Sequence, residues 1–176
     1  SNDDIPFSIT QTIDGGYIIA GNSSSNDGDV SGNHGYVDCW IVKINSIGSI
    51  EWQKTMGGSA TDVLTGIEQT PDKGYILAGY SGSGISGDKT TNTKGSFDYW
   101  VIKINKLGVI QWQKSIGGSN SDYLMCMKLC KDGGLITGGF SYSGISGDKT
   151  ESNRGSWDYW VVKLDSLGIK QWDKTI

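Results

Sequence analysis

Asp98-Tyr-Trp-Val-Ile-Lys-Ile-Asn105 decides how this chain is read, because the phrase returns twice. Its counterparts are Asp38-Cys-Trp-Ile-Val-Lys-Ile-Asn45 and Asp158-Tyr-Trp-Val-Val-Lys-Leu-Asp165, so the copies stand 60 residues apart. Each is followed by a Gly turn and a second tryptophan phrase: Glu51-Trp-Gln-Lys54, Gln111-Trp-Gln-Lys114 and Gln171-Trp-Asp-Lys174. A fixed period of this size marks a supersecondary unit stacked on copies of itself. The repeats are 1–58, 59–118 and 119–176, together one domain.

One repeat reads as four strands. The first runs from Asp4 to Thr12, Asp62 to Thr70 and Asp122 to Cys130; Ile5, Phe7 and Ile9 alternate with small or polar residues, the period of a half-buried strand. Asp14-Gly15-Gly16 and its counterparts supply a hairpin turn, since Asp bonds locally and Gly accepts positive φ. Tyr17-Ile-Ile-Ala20 is the second strand, and a long polar loop leads to the tryptophan phrase as the third. There Trp40, Val42 and Ile44 share one face while Cys39, Ile41 and Lys43 share the other, a strand covered on both sides. A three- to four-residue turn with Gly48, Gly108 or Gly168 in the left-handed position leads into the fourth strand with Trp52, Trp112 or Trp172. Four consecutive antiparallel strands without helical periodicity predict an all-β protein of three four-stranded propeller blades. Three repeats of four strands also describe a β-trefoil, which is the alternative.

Composition agrees with a strand-rich chain. Of 176 residues, 27 are Gly and only 2 Pro, so bends are made by Gly, and 7 Trp and 8 Tyr suit strands. A net charge of −4, with Lys and Arg scattered at the repeat period, argues against nucleic acid. There is no apolar run of about 18 residues to span a membrane, and no secretory leader, as in a processed chain. Cys126 and Cys130 lie about 13 Å apart along a strand, too far for a disulfide. Cys126 replaces Ser8 and Gly66, which predicts a small buried side chain.

The ordered motifs Gly-Gly-Ser-x-x-Asp, Asp-Gly-Gly-Tyr-Ile-x-Ala-Gly and Asp-Tyr-Trp-Val-x-Lys-Leu-Asp, spread from Asp4 to Lys174, resemble the SBBP-type bacterial β-propeller repeats. The tandem versions in secreted Bacteroidetes surface proteins are the nearest in pattern. That resemblance implies an extracellular or cell-surface location and a non-enzymatic scaffold or adhesion role. Propellers have roughly four to eight blades, so three blades imply two raw faces, to be closed by a second copy in a six-bladed ring or by further blades of a longer array. The adjacent Gln-Trp phrases are also similar to the Gln-x-Trp signature of ricin-type lectins, so the trefoil alternative carries a three-fold carbohydrate-binding function.

Candidate sites follow from asymmetry. A residue present in every copy cannot converge with its own counterparts on one catalytic centre, so Asp38, Asp98 and Asp158 are expected to hold backbone donors at strand entries. Trp40, Trp100 and Trp160 are expected between blades. Function concentrates in the long loops. Asn26-Asp-Gly-Asp-Val-Ser-Gly32 alternates oxygen ligands around a Gly, which makes Asp27 and Asp29 candidates for calcium, although the closing glutamate of an EF-hand is missing. Asp88 and Asp148 recur at the position of Asp29, His34 is the single histidine, and Trp157 replaces Val37 and Phe97; these four are the candidate residues for a protein or glycan ligand. The Gly-rich loops Ser83–Lys89 and Ser143–Lys149 precede strands, not helices, which argues against phosphate binding.

Overall fold

The computed structural model describes residues 3–176, and every regular element among them is a strand. The first repeat forms β1 (Asp4–Gln11), β2 (Tyr17–Ser23), β3 (Asp38–Ile44) and β4 (Ile50–Met56). The second forms β5 (Asp62–Gln69), β6 (Tyr75–Ser81), β7 (Asp98–Ile104) and β8 (Ile110–Ile116). The third forms β9 (Asp122–Leu129), β10 (Leu135–Ser141), β11 (Asp158–Leu164) and β12 (Lys170–Thr175). Each set is its own antiparallel sheet with strands in chain order. A β-trefoil pools strands from its three repeats into one barrel; here no strand is shared, so that alternative falls. The sheets follow one another as blades and do not close into a ring.

The hairpins obey local chemistry. In the β5–β6 turn the Asp72 carboxylate accepts the Gly74 N–H at 3.0 Å and the Thr70 hydroxyl at 2.5 Å. Lys103, on β7, brings its ammonium 2.9 Å from the same carboxylate and 3.2 Å from the Ile104 carbonyl. Lys43 meets Asp14 and Lys163 meets Asp132 in the same way. This explains why an apolar strand carries a Lys: its stem lies in the sheet and its head ties down the neighbouring turn. The partners hold both Asp14 and Asp72 at about 2, led in each case by the Thr hydroxyl. Lys103→Ala is expected to cost about 1–2 kcal/mol in urea unfolding, because the acid it serves is half-exposed.

Each first strand carries a bulge, between Pro6 and Ser8, Leu64 and Gly66, and Leu124 and Cys126. Opposite it the chain has Gly21, Gly79 or Gly139. A Cβ on Gly79 would lie 1.8 Å from the Val63 carbonyl oxygen, which only Gly avoids.

Two seams hold the sheets together. In the first, Ile18, Cys39, Ile41 and Met56 of one sheet meet Leu64, Leu77, Trp100 and Ile102 of the next. In the second, Ile76, Tyr99, Val101 and Ile116 meet Leu124, Trp160 and Val162. Alternation along β7 accounts for this: Trp100 and Ile102 face back to the first sheet, while Tyr99 and Val101 face forward to the third. Every β7 side chain is therefore buried. At about 1.5–3 kcal/mol per large apolar side chain removed from water, the seams are the main stabilising term.

Two expectations for the first strands of the repeats need correction. Ile5, Phe7 and Ile9 are exposed rather than half-buried, since no sheet among the described residues lies before β1. Cys126 is exposed rather than buried. Its counterpart Gly66 is met by Met127 of the following sheet, and no sheet among the described residues follows the third.

Candidate functional site at the sheet seams and open faces

The long loops between second and third strands reach back over the seams. The Asp88 N–H donates to the Gly57 carbonyl at 2.8 Å, and Asp148 to Gly117 at 2.9 Å. His34 Nδ1 then lies 3.6 Å from Asp88 Oδ2, and Lys94, 60 residues after His34, pairs with Asp148. His34, Asp88 and Asp148 are thus clasps between neighbouring sheets, at two different seams. Trp157 stands apart on the third sheet's outer flank, half-exposed, with ring centroids 5.2 Å from Phe140 and 6.5 Å from Tyr142. The four candidate residues do not converge on one cavity.

Two residues that matter were not anticipated. Lys89 and Lys149 sit in polar loops yet are buried, each ammonium lying over a seam tryptophan at 5.8 Å from Trp100 and 5.7 Å from Trp160. Burial pushes the Lys89 ammonium down to about 8. Their signal was a Lys repeated after Gly-Asp, where the first copy has the apolar, buried Val30.

Asp27 and Asp29 are exposed on the first loop. Its turn is closed by the Val30 N–H donating to the Asp27 carbonyl and the Gly32 N–H donating to the Asn26 side chain, both at 3.1 Å. Among the described residues no group of three or more His, Cys, Asp or Glu is placed to hold a metal ion.

At the strand entries the acids do what their position suggests. Asp38 accepts the His34 N–H at 2.6 Å, Asp98 the Lys94 N–H at 2.7 Å, and Asp158 the Arg154 N–H at 2.5 Å. Asp62 and Asp122 accept the N–H of Gly58 and Gly118 from the preceding sheet, at 2.6 and 2.7 Å. Asp38, Asp62 and Asp122 are fully buried and each keeps one oxygen without a partner. Burial is the largest cause that pushes Asp38 up to about 6, and it raises Asp98 and Asp122 as well.

The sign of the pH effect follows. A carboxyl raised in the folded state favours folding when protonated, and that contribution disappears as pH rises from about 3.8 through about 6. Asp38→Asn, which cannot ionise, is expected to flatten the fall in melting temperature between these values. A variant whose profile matches the parent's would remove Asp38 as the cause. The hairpin acids act oppositely: they stabilise above 3.8 and lose that as pH falls toward 2.

The remaining features are surfaces. On the first sheet's outer face Ile5, Ile19, Trp40, Val42 and Ile50 line an open apolar hollow of about 320 Å³. Trp40, expected between blades like its counterparts, is instead half-buried on this open face, while Trp100 and Trp160 are wholly buried. On the third sheet's outer face Tyr159 is 66% exposed where Tyr99 is 0%, and Ile176 is 61% exposed where Ile116 is 5%. Trp172, opposite Lys163 on β12, is half-exposed as well. A separate cleft of about 500 Å³ opens at the hairpin end of the first seam, lined by Trp52, Tyr75, Gln69, Lys73 and Lys106 among others. Its counterpart at the second seam, beside Trp112, is about 30 Å³. No protein-family model matches this chain, and no curated protein aligns with it.

Proposed function

We propose that this chain is a non-enzymatic β-propeller repeat module of the cell surface or extracellular medium. It acts as a structural and binding scaffold, and its copies associate to complete a ring. The observation that supports this best is the repetition of the seams. Positions buried between sheets at both internal seams are the ones left open on the two outer faces, and contiguous exposed apolar surface of that kind marks an interaction site. The location and the adhesive role rest on the resemblance of the repeats. Ligands, protein or glycan, would meet the rim of long loops. Sedimentation velocity across the micromolar range is expected to show a species of twice 18.9 kDa growing with concentration. A single species of 18.9 kDa throughout would end the proposal.

A second reading, carbohydrate binding, is favoured by the first-seam cleft, where Trp52 and Tyr75 meet edge to face at 6.1 Å beside Lys73 and Lys106, the acids of the same lining, Asp14 and Glu51, being paired with Lys43. Because the second seam lacks a matching cleft, the expected stoichiometry is one sugar per chain rather than three. Saturable quenching of tryptophan fluorescence by an acidic oligosaccharide, lost in Trp52→Ala, would support it. Absence of quenching with Trp52 intact would remove it.

A further inference from the structure

We infer that the two open faces are the halves of a third seam, so that a second copy docks head to tail with Arg154 on Asp29, Trp172 on Gly48 and Tyr159 on Trp40. This rests on the ring-forming reading above and adds its polarity, register and contacts. Both internal seams serve as templates.

The first template is the clasp. The basic position of one sheet lies against the Gly-Asp of the next loop: His34 stands between Asp88, at 3.6 Å, and Asp38 of its own sheet, at 3.5 Å, and Lys94 pairs with Asp148. A methyl added to Gly87 would lie 2.9 Å from the His34 ring, and one on Gly147 would lie 2.8 Å from Lys94 Cδ. Gly28, at φ 63°, has the same left-handed turn as Gly87 at 53° and Gly147 at 56°, so Gly28-Asp29 is the first loop's version of the receptor. Nothing lies within 4 Å of the Gly28 Cβ position. Arg154, 60 residues after Lys94, is exposed and has no carboxylate within ion-pair distance among the described residues, Glu151, whose carboxyl its charge helps to hold down, being paired with Lys174. A clasp without a receptor and a receptor without a clasp stand at opposite ends of one molecule, with opposite charges.

The second template is the tryptophan of the fourth strand. Trp52 covers Gly108, at 3.2 Å from its Cβ position, and Trp112 covers Gly168 at 2.7 Å. Gly48 occupies the same turn and has nothing within 4 Å, while Trp172 is half-exposed. The third template is the Tyr99 hydroxyl, which donates to the Trp160 carbonyl across the second seam at 2.9 Å. Tyr159 carries the same hydroxyl on the open face, and Trp40 is the residue equivalent to Trp160. All three pairings point the same way along the chain, so the contact is heterologous, and a heterologous contact closes or grows into a filament. Two copies bring six sheets, inside the range of roughly four to eight at which propellers close.

The test is a charge exchange followed by sedimentation at low salt. Arg154→Glu and Asp29→Lys are each expected to weaken association of the parent chain about fivefold. The double variant, which reverses the pair, is expected to recover to within about twofold of the parent. Both positions are exposed, so unchanged melting of the dilute variants checks that folding is intact. If the parent associates but the double variant is no better than the two losses combined, the register proposed here is wrong while the ring reading stands. If the parent never associates, both fall together.

Discussion

Trp100→Ala is expected to lower the stability of the chain by about 4 kcal/mol. The ring is fully buried in the first seam, its Nε1–H donates to Gln113 Oε1 at 3.1 Å, and the Lys89 ammonium lies over its face. Removing it opens a cavity between two sheets and takes the aromatic face from a buried cation. Trp40→Ala is the control within the same molecule. Trp40 keeps the matching bond to Gln53 at 3.1 Å but faces the open side. In dilute solution its loss should cost less than half as much. Urea unfolding followed by far-ultraviolet circular dichroism measures both, and equal losses in the dilute monomer would mean that burial at the seam is not what stabilises these sheets.

Gly79→Ala is expected to cost about 3 kcal/mol, although it adds one methyl group to a site with ordinary φ. The added Cβ would stand 1.8 Å from the Val63 carbonyl oxygen and 2.8 Å from Leu64 Cα, both backbone atoms of the bulged strand that cannot swing aside. Relief requires β5 to move from β6, and β5 carries Leu64 and Ile67 of the first seam. Ala78 is the comparison: replacing that neighbour by Gly should cost about 1 kcal/mol from chain entropy and lost burial. Thermal unfolding of the two variants separates them, and a harmless Gly79→Ala would show that the bulge is pliable.

Much of this architecture was legible in the repeats. The period placed four strands in each copy, Gly48, Gly108 and Gly168 took the left-handed turns expected of them, and Asp38, Asp98 and Asp158 hold backbone donors at strand entries. Alternation along the tryptophan phrase put Trp100 and Trp160 between sheets. The bulge was not legible, because Phe7, Thr65 and Met125 share no chemistry and the mark lies instead in the facing glycines. The exposure of Cys126 was not legible either, because periodicity says which face a residue is on, not whether another sheet covers that face. Each candidate residue of the loops stands alone in the sequence. His34 and Asp88 are 54 positions apart, and only the stacking of one sheet on the next makes them neighbours. The signal was available as a pattern across copies: a base at 34, 94 and 154 and an acid at 88 and 148, in register.

Native-state thiol labelling tests the central claim most directly, because the three cysteines sample the three environments it distinguishes. Cys39 is buried in the first seam, where burial also pushes its thiol well up, Cys130 is intermediate, and Cys126 lies on the outer face of the third sheet. The expected result in dilute solution is rapid modification of Cys126, slower modification of Cys130, and none of Cys39 until the chain unfolds. As concentration rises, Cys126 should become protected, since Met127 covers its counterpart Gly66 and Ile9 of a second copy would cover Cys126. Modification of Cys39 as fast as that of Cys126 in the folded chain would contradict sheets sealed flank to flank.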